Sequence, residues 1–447
     1  MTEISQQAEP PVKSLFESDL RTRRRNAAET RFRLYGMAAV AMGIFALIFL
    51  LVSVLGNGVS SFRQTSIELQ VTLDEAVLDK TGSRDPEVMK KVTTIGYGKI
   101  LDQALADTLA AHDIDVSALT PKQLSGMKSD EAPRRLRDLV LADPSLVGQT
   151  ITFHALATSR IDGFEKGRVT MESAKLDSNI SVEQLEVAQA MKDKGLLSMP
   201  FNWGFFTSAD ASELRPEAAG VGVAMLGSLY MMLIVLVLSL PIGVAASIYL
   251  EELAPQNRWT DIIEVNIANL AAVPAIVYGI LALALFINFL GLPQSAPMVG
   301  GLVLTLMTLP TIIIATRAAL KAVPPSIRDA ALGVGASRMQ TIFHHVLPLA
   351  MPGILTGTIL GLARALGESA PLLLIGMVAF VKDYPSAPPA GLMEPASALP
   401  VQVYQWTQRA DPAFVERASG AIIVLLVFLV AMNATAILLR RRFERRW

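Results

Sequence analysis

Six stretches of this chain are apolar for long enough to cross a lipid bilayer, and nothing else in the sequence constrains its fold as strongly. A spanning helix needs about 20 predominantly apolar residues. Runs of that kind lie at 34–55, 220–250, 263–290, 299–320, 353–381 and 420–439. In hydrocarbon the backbone N–H and C=O groups find no water, so only helices and closed barrels can span. Continuous apolar runs of this length predict helices. With 52% hydrophobic and 18% charged residues over 447 positions, an ordinary soluble domain is excluded. The chain has no cysteine, so it forms no disulfide and its redox compartment is unreadable from that source.

The polar segments order those runs. Residues 1–33 are polar and then basic, with Arg21, Arg23, Arg24, Arg25, Arg31 and Arg33 ahead of the first run. A secretory signal has a shorter apolar core and a small-residue cleavage site, so 34–55 reads as a spanning helix whose N-terminus is inside. A nucleic-acid-binding arm is the competing reading of those arginines, and their position against a span disfavours it. From 56 to 216 the composition is that of a soluble domain, which a preceding span must deliver to the extracytoplasmic side. There Ile67, Leu69, Val71 and Leu73 alternate with polar residues, as Ile151, Phe153 and Ala155 do, which predicts half-buried strands. Helices are predicted near 99–111, 132–141 and 182–194, giving a small α+β domain. Its GYGK at 96–99 lacks the spacing of a phosphate-binding loop. Its acidic excess argues against capture of a phosphate-like anion by the domain alone. The other five runs occupy 217–439, and a basic tail closes the chain at 440–447. Six crossings bring both arginine-rich termini to one face. The fold class expected is therefore an all-α membrane protein of six transmembrane helices, with a soluble α+β domain between helices 1 and 2.

Two stretches carry candidate chemistry. In the fifth run, Arg364 and Glu368 stand among Ala, Leu, Gly and Ile. Counted from Gly353, Arg364 falls roughly 16 Å along a helix, near mid-bilayer, where an arginine costs at least about 2.5 kcal/mol. A continuous helix puts Glu368 on the same face at i+4. Either the two form a structural ion pair between helices, or the guanidinium meets an anion there as a planar fork for two oxygens. The second stretch, 329–348, reads DAALGVGASRMQTIFHHVLP and is compatible with water. Its alanines make a smooth ridge, Gly335 allows a sharp turn, and Pro348 is expected to end the element. The plain alternative is a surface helix-turn-helix between spans. His344 and His345 are adjacent, so in a helix they point about 100° apart and make a poor joint metal site. Pro241, Pro274 and Pro310 inside apolar runs predict kinks. No Ser-His-Asp set, HExxH or P-loop is present, so covalent chemistry and nucleotide hydrolysis are not expected here.

These stretches resemble one family. Asp329, Ala330, Ala331, Gly335, Leu347 and Pro348 fall in register with the "EAA" loop of ABC-importer permeases, with Asp for Glu and His345 where Ile is usual. Residues 363–372, ARALGESAPL, resemble a segment of the inorganic phosphate permeases, as do 270–279, LAAVPAIVYG, and 245–254, AASIYLEELA, the last in its PstA form. The resemblance covers about 201–440 and implies the type I ABC importer permease fold. It assigns Arg364 and Glu368, with Ser369 beside them, to the phosphate pathway, and Asp329, Ala330, Ala331 and Gly335 to ATPase coupling. It further implies a bacterial inner-membrane subunit without cofactor. Its partners would be a PstC-type permease, a PstB-type ATPase dimer and a PstS-type binding protein. Arg317 stands where members often carry Glu, and the domain at 56–216 is an insertion that short members lack. The alternatives are a permease for molybdate or sulfate, and a membrane-anchored extracytoplasmic sensor.

Overall fold

A computed structural model describes residues 20–79, 82–377 and 380–443. The start of the basic N-terminal tail, 1–19, and Arg445 and Arg446 of the C-terminal one lie outside these residues. The chain divides into two units, Met1–Gly56 and Asn57–Trp447.

The described residues of the first unit form a helix, α1 (Leu20–Gly58), whose last two residues belong to the second unit. It begins fourteen residues before the expected span at 34. The Arg- and Ala-rich stretch ahead of the apolar run has high helix propensity, so polarity alone does not end the helix.

In the second unit the polar segment forms a three-stranded antiparallel sheet in the order β2-β1-β3, with β1 Ser66–Thr72, β2 Thr150–Leu156 and β3 Leu197–Ser198. Ile67, Leu69 and Val71 pair with Ala155, Phe153 and Ile151. All three β1 residues are fully buried, as their alternation predicts. Helix α2 (Thr94–Ala111) joins the same core through Leu101, Leu105 and Leu109, spaced four apart along one face. Helices α3 (Ala132–Ala142) and α4 (Val182–Asp193) contribute to that core as well, and Ser181 with Gln184 closes a capping box on α4.

Beyond it, α5 (Gly222–Ile248) ends in a π-helical turn, Tyr249–Leu253. The run expected as one kinked span at 263–290 is instead two helices, α6 (Arg258–Ala271) and α7 (Ala275–Ala282), the latter continuing through Leu283–Phe289 and bent 101° from α6. Pro274 stands at the break; it has no N–H to donate and its ring opposes the carbonyl four residues back. That carbonyl, of Leu270, accepts the Tyr278 hydroxyl at 2.7 Å instead. Next come α8 (Pro297–Lys321), α9 (Pro325–Gly333), α10 (Leu347–Gly367), α11 (Ala370–Leu374), α12 (Leu399–Gln408) and α13 (Pro412–Phe443). Among the described residues, five helices are long and apolar enough to cross a membrane, or six if the bent α6–α7 pair counts as one crossing.

Small residues set the packing of α10. Gly353, Gly357 and Gly361 recur every four residues, and a Cβ on Gly357 would stand 2.2 Å from that of Ala315 on α8. Lipid offers apolar helices no hydrophobic reason to associate, so close backbone approach of this kind carries the contact.

The inserted domain is fastened to α13 by buried charges. Glu416 pairs with Lys166 at 2.9 Å and Arg168 at 2.5 Å, and Asp162 pairs with the same two at 2.7 and 3.3 Å. Arg409, in the short link between α12 and α13, and Asp210 add a pair at 2.5 Å. Arg417 is buried and donates to Gln64 and to the Glu217 carbonyl.

Candidate functional site

The break at the end of α10 decides the geometry around Arg364. Gly367 is the last helical residue, and Glu368 is extended, with φ −84° and ψ 123°. Arg364 and Glu368 are therefore not an i,i+4 pair on one uninterrupted helix, which corrects the expectation of a single span over 353–381. The helix also starts six residues earlier than expected, at Leu347. Counted from there, Arg364 lies about 26 Å along, in the last turn. A cation in that turn is favoured by the partial negative charge of the unpaired terminal carbonyls, which offsets part of its cost. Pro348 does not end the preceding element: the helical chain runs on from the π-helical turn Ile342–Val346 through it into α10.

The guanidinium is not sealed. Its Nε is 3.8 Å from a Glu368 carboxylate oxygen, too far for a hydrogen bond, and the two side chains are 42% and 27% exposed. Glu368 is its only ion-pair partner among the described residues. Ser369 follows and its carbonyl accepts the Leu373 N–H at 3.0 Å, starting α11. The two helix breaks are brought together, because α7 packs on α11 where a Cβ on Gly279 would stand 2.8 Å from the Pro371 Cα. The Gly at the end of the LAAVPAIVYG segment is thus the position that lets the half-helix after Pro274 approach the half-helix after Ser369.

The loop residues divide by exposure. Asp329 and Ala330 are exposed on α9, whereas Ala331 is buried. The alanine ridge is therefore only partly available to a partner, because Ala331 is turned inward. Gly335 is exposed with φ +91°, a backbone region closed to most side chains. Ser337 and Gln340 then form a capping box, and the chain continues through Arg338–Thr341 and a π-helical turn, Ile342–Val346, in which His344 and His345 are exposed. Leu332, Val334, Met339 and Phe343 present apolar side chains to the outside from the same loop. Sequence reasoning passed over them.

An ion network missed in the sequence ties this loop to the spans. Arg317 on α8 pairs with Glu251 at 3.3 Å and with Glu264 on α6. Arg317 thus joins three segments as an ion-paired bridge. Arg328 pairs with Glu252 at 2.6 Å and donates to the carbonyls of Leu320 and Val323 at 2.9 and 2.8 Å. Its hydrogen-bonded Glu252 carboxylate holds the Arg328 proton more firmly than usual. A signal was available, since Glu264 is an acid inside an apolar run and such a group requires a cation.

Known proteins place the chain. A family model described as a binding-protein-dependent transport system inner membrane component matches residues 239–447, and one described as a domain of unknown function, DUF3333, matches 19–175. The probable ABC transporter permease protein YqgI of Bacillus subtilis is 31% identical over 49% of this chain and 78% of its own length. The phosphate transport system permease protein PstA of Xylella fastidiosa (strain Temecula1) is 32% identical over 51% and 77%. PstA 1 of Mycobacterium tuberculosis H37Rv is 32% identical over 51% and 72%. Among solved structures, an inward-facing MetNI methionine ABC transporter aligns at 18% identity with a TM-score of 0.39, over 51% of this chain and 95% of that one. With relatives above 30% identity covered over more than two thirds of their length, the chain belongs to the PstA-type permeases, multi-pass transmembrane subunits of ABC importers.

Proposed function

We propose that the substrate is inorganic phosphate and that Arg364, Glu368 and Ser369 line its path. The observation that carries this reading is the state of Arg364, a half-exposed guanidinium at a helix break whose only acid partner among the described residues stands at 3.8 Å. Its donors are open to a tetrahedral oxyanion, and a nearby carboxylate discourages permanent occupancy, as a transport site needs. The names of the relatives point to the same anion. The chain supplies half of a pathway, a PstC-type permease the other half. A PstB-type ATPase dimer would dock on the loop at Asp329, Ala330 and Gly335, and a PstS-type binding protein would deliver phosphate on the opposite face. In this reading both termini are cytoplasmic, the membrane is the bacterial inner membrane, and residues 56–216 form an extracytoplasmic domain. Hydrolysis of ATP resides in the partner. Ion pairs that bind Arg317 to Glu251 and Glu264 support an anchoring role for that residue rather than a place in the pathway.

The test is uptake of radiolabelled phosphate by the complete importer. Arg364→Gln keeps size and polarity but removes the charge and the fork, and uptake should fall at least a hundredfold while the subunit still inserts and assembles. Arg364→Lys should recover little of it, since an ammonium cannot present two parallel donors. Normal uptake by Arg364→Gln would remove the site assignment.

A further inference from the structure

A cavity of about 570 Å³ lies where the inserted domain meets the permease, walled by α3, the 207–211 segment and the 380–384 stretch that leads toward α12. Most of its acids are already engaged. Glu131 holds Arg215 at 2.7 Å and Arg134 at 3.4 Å. Asp210 holds Arg409 at 2.5 Å and accepts the Trp406 indole N–H at 2.8 Å. Asp138 shares Arg134 at 3.9 Å. Arg135 also lines the cavity, yet it makes no side-chain hydrogen bond or ion pair with any described residue. Burial makes its charge harder to hold than usual. Its Nη2 reaches to 3.2 Å from where a Cβ on Gly204 would stand, a tight approach that the missing side chain at 204 relieves.

The acidic excess of the inserted domain does not describe this spot. Setting aside the engaged groups leaves two cations, Arg135 and Lys382, against one acid, Asp383. The Arg135 guanidinium makes no hydrogen bond to a described residue, and although Glu131 and Glu217 act on its charge at longer range, its fork of donors is open to the cavity, where one anion would engage several of them at once. We propose that this cavity is a second oxyanion site, taking a small tetrahedral anion of the phosphate class on the fork of Arg135, with Lys382 supplying charge at its edge. It is separate from Arg364, which lies in a spanning helix. It is built jointly by the inserted domain and the loop between α11 and α12, so a permease lacking the insertion has no such cavity. In the orientation proposed above it faces the compartment from which substrate arrives.

Binding of radiolabelled inorganic phosphate to the purified full-length chain tests this, in an Arg364→Gln background so that the pathway residue contributes nothing. The expected result is one phosphate per chain, with affinity at least tenfold weaker in Arg135→Gln and several-fold weaker in Lys382→Gln. Thermal unfolding separates binding from structure. Phosphate should raise the melting temperature of Arg364→Gln but not of Arg364→Gln/Arg135→Gln, and in phosphate-free buffer Arg135→Gln should melt no lower than its parent, because the cost of burying the charge outweighs the attraction of Glu131 and Glu217. No phosphate bound in the Arg364→Gln background, binding indifferent to Arg135→Gln, or an equal loss of stability with and without phosphate would each overturn the proposal. Because the readout is binding, an unaffected uptake in Arg364→Gln alone would strike the pathway assignment and leave this one standing.

Discussion

Glu416→Gln should loosen the inserted domain from the last helix. The Glu416 side chain is 4% exposed, and its two oxygens engage Lys166 and Arg168 at 2.9 and 2.5 Å. Lys166 is 6% exposed and Asp162 5%, so the cluster is two acids sharing two cations largely out of water. The substitution keeps the shape and removes one negative charge, leaving a surplus positive charge in a buried site. Breaking a buried pair from one side costs about 3–5 kcal/mol. The lower end applies here, because Asp162 still holds both cations. Amide hydrogen exchange over Ser159–Glu165, in the full chain held in nanodiscs, reads the local opening directly. A cost of about 3 kcal/mol corresponds to exchange faster by about a hundredfold. Lys166→Met combined with Glu416→Gln restores the charge balance and should recover most of the protection, since no uncompensated charge is then left buried. A change of less than threefold in Glu416→Gln, or a double variant worse than the single one, would show that these charges do not fasten the domain.

Other expectations follow from single positions. Gly335→Leu forces a side chain into φ +91° at a cost of about 1 kcal/mol or more; in the assembled importer it should lower the transport obtained per ATP hydrolysed, and unchanged coupling would count against the loop as the ATPase contact. Gly357→Val drives a branched side chain into Ala315 of α8, an overpacking worth about 1–3 kcal/mol, visible as a lower melting temperature in detergent; an unchanged one would argue against that helix contact. Glu217 is 5% exposed and accepts the Ser129 hydroxyl at 2.5 Å, and its burial raises the carboxyl above its usual value of 4.5. The native state then keeps a proton that the unfolded chain releases, so this group's contribution to stability falls as pH rises from about 4.5 toward the native value. Glu217→Gln should therefore stabilise the chain more at pH 7.5 than at pH 4.5, and an equal effect at both would refute the assignment.

Local repetition was legible and long-range pairing was not. Apolar length marked the crossings and alternation marked Ile67, Leu69 and Val71, because burial of a face imposes a period that any short window reveals. Spacing also placed Asp329, Gly335, Arg364 and Glu368 in register with their family. It could not show that Ala331 turns inward or that the helix stops at Gly367. Those outcomes depend on what packs against each segment, just as the break at Pro274 depends on the Tyr278 hydroxyl reaching the Leu270 carbonyl.

What the sequence by itself determined is therefore the membrane class, the inserted α+β domain and the identity of the charged residues that an apolar environment must answer for. The tertiary structure alone decided the answers. Glu264 meets Arg317, Glu416 meets Lys166 across 250 positions, and Arg135 is bonded to neither of the acids, Glu131 and Glu217, that act on its charge. The physical reason is that a charge in a low-dielectric setting must find its counter-charge wherever the chain brings one, and the chain brings it by packing, which no local period records.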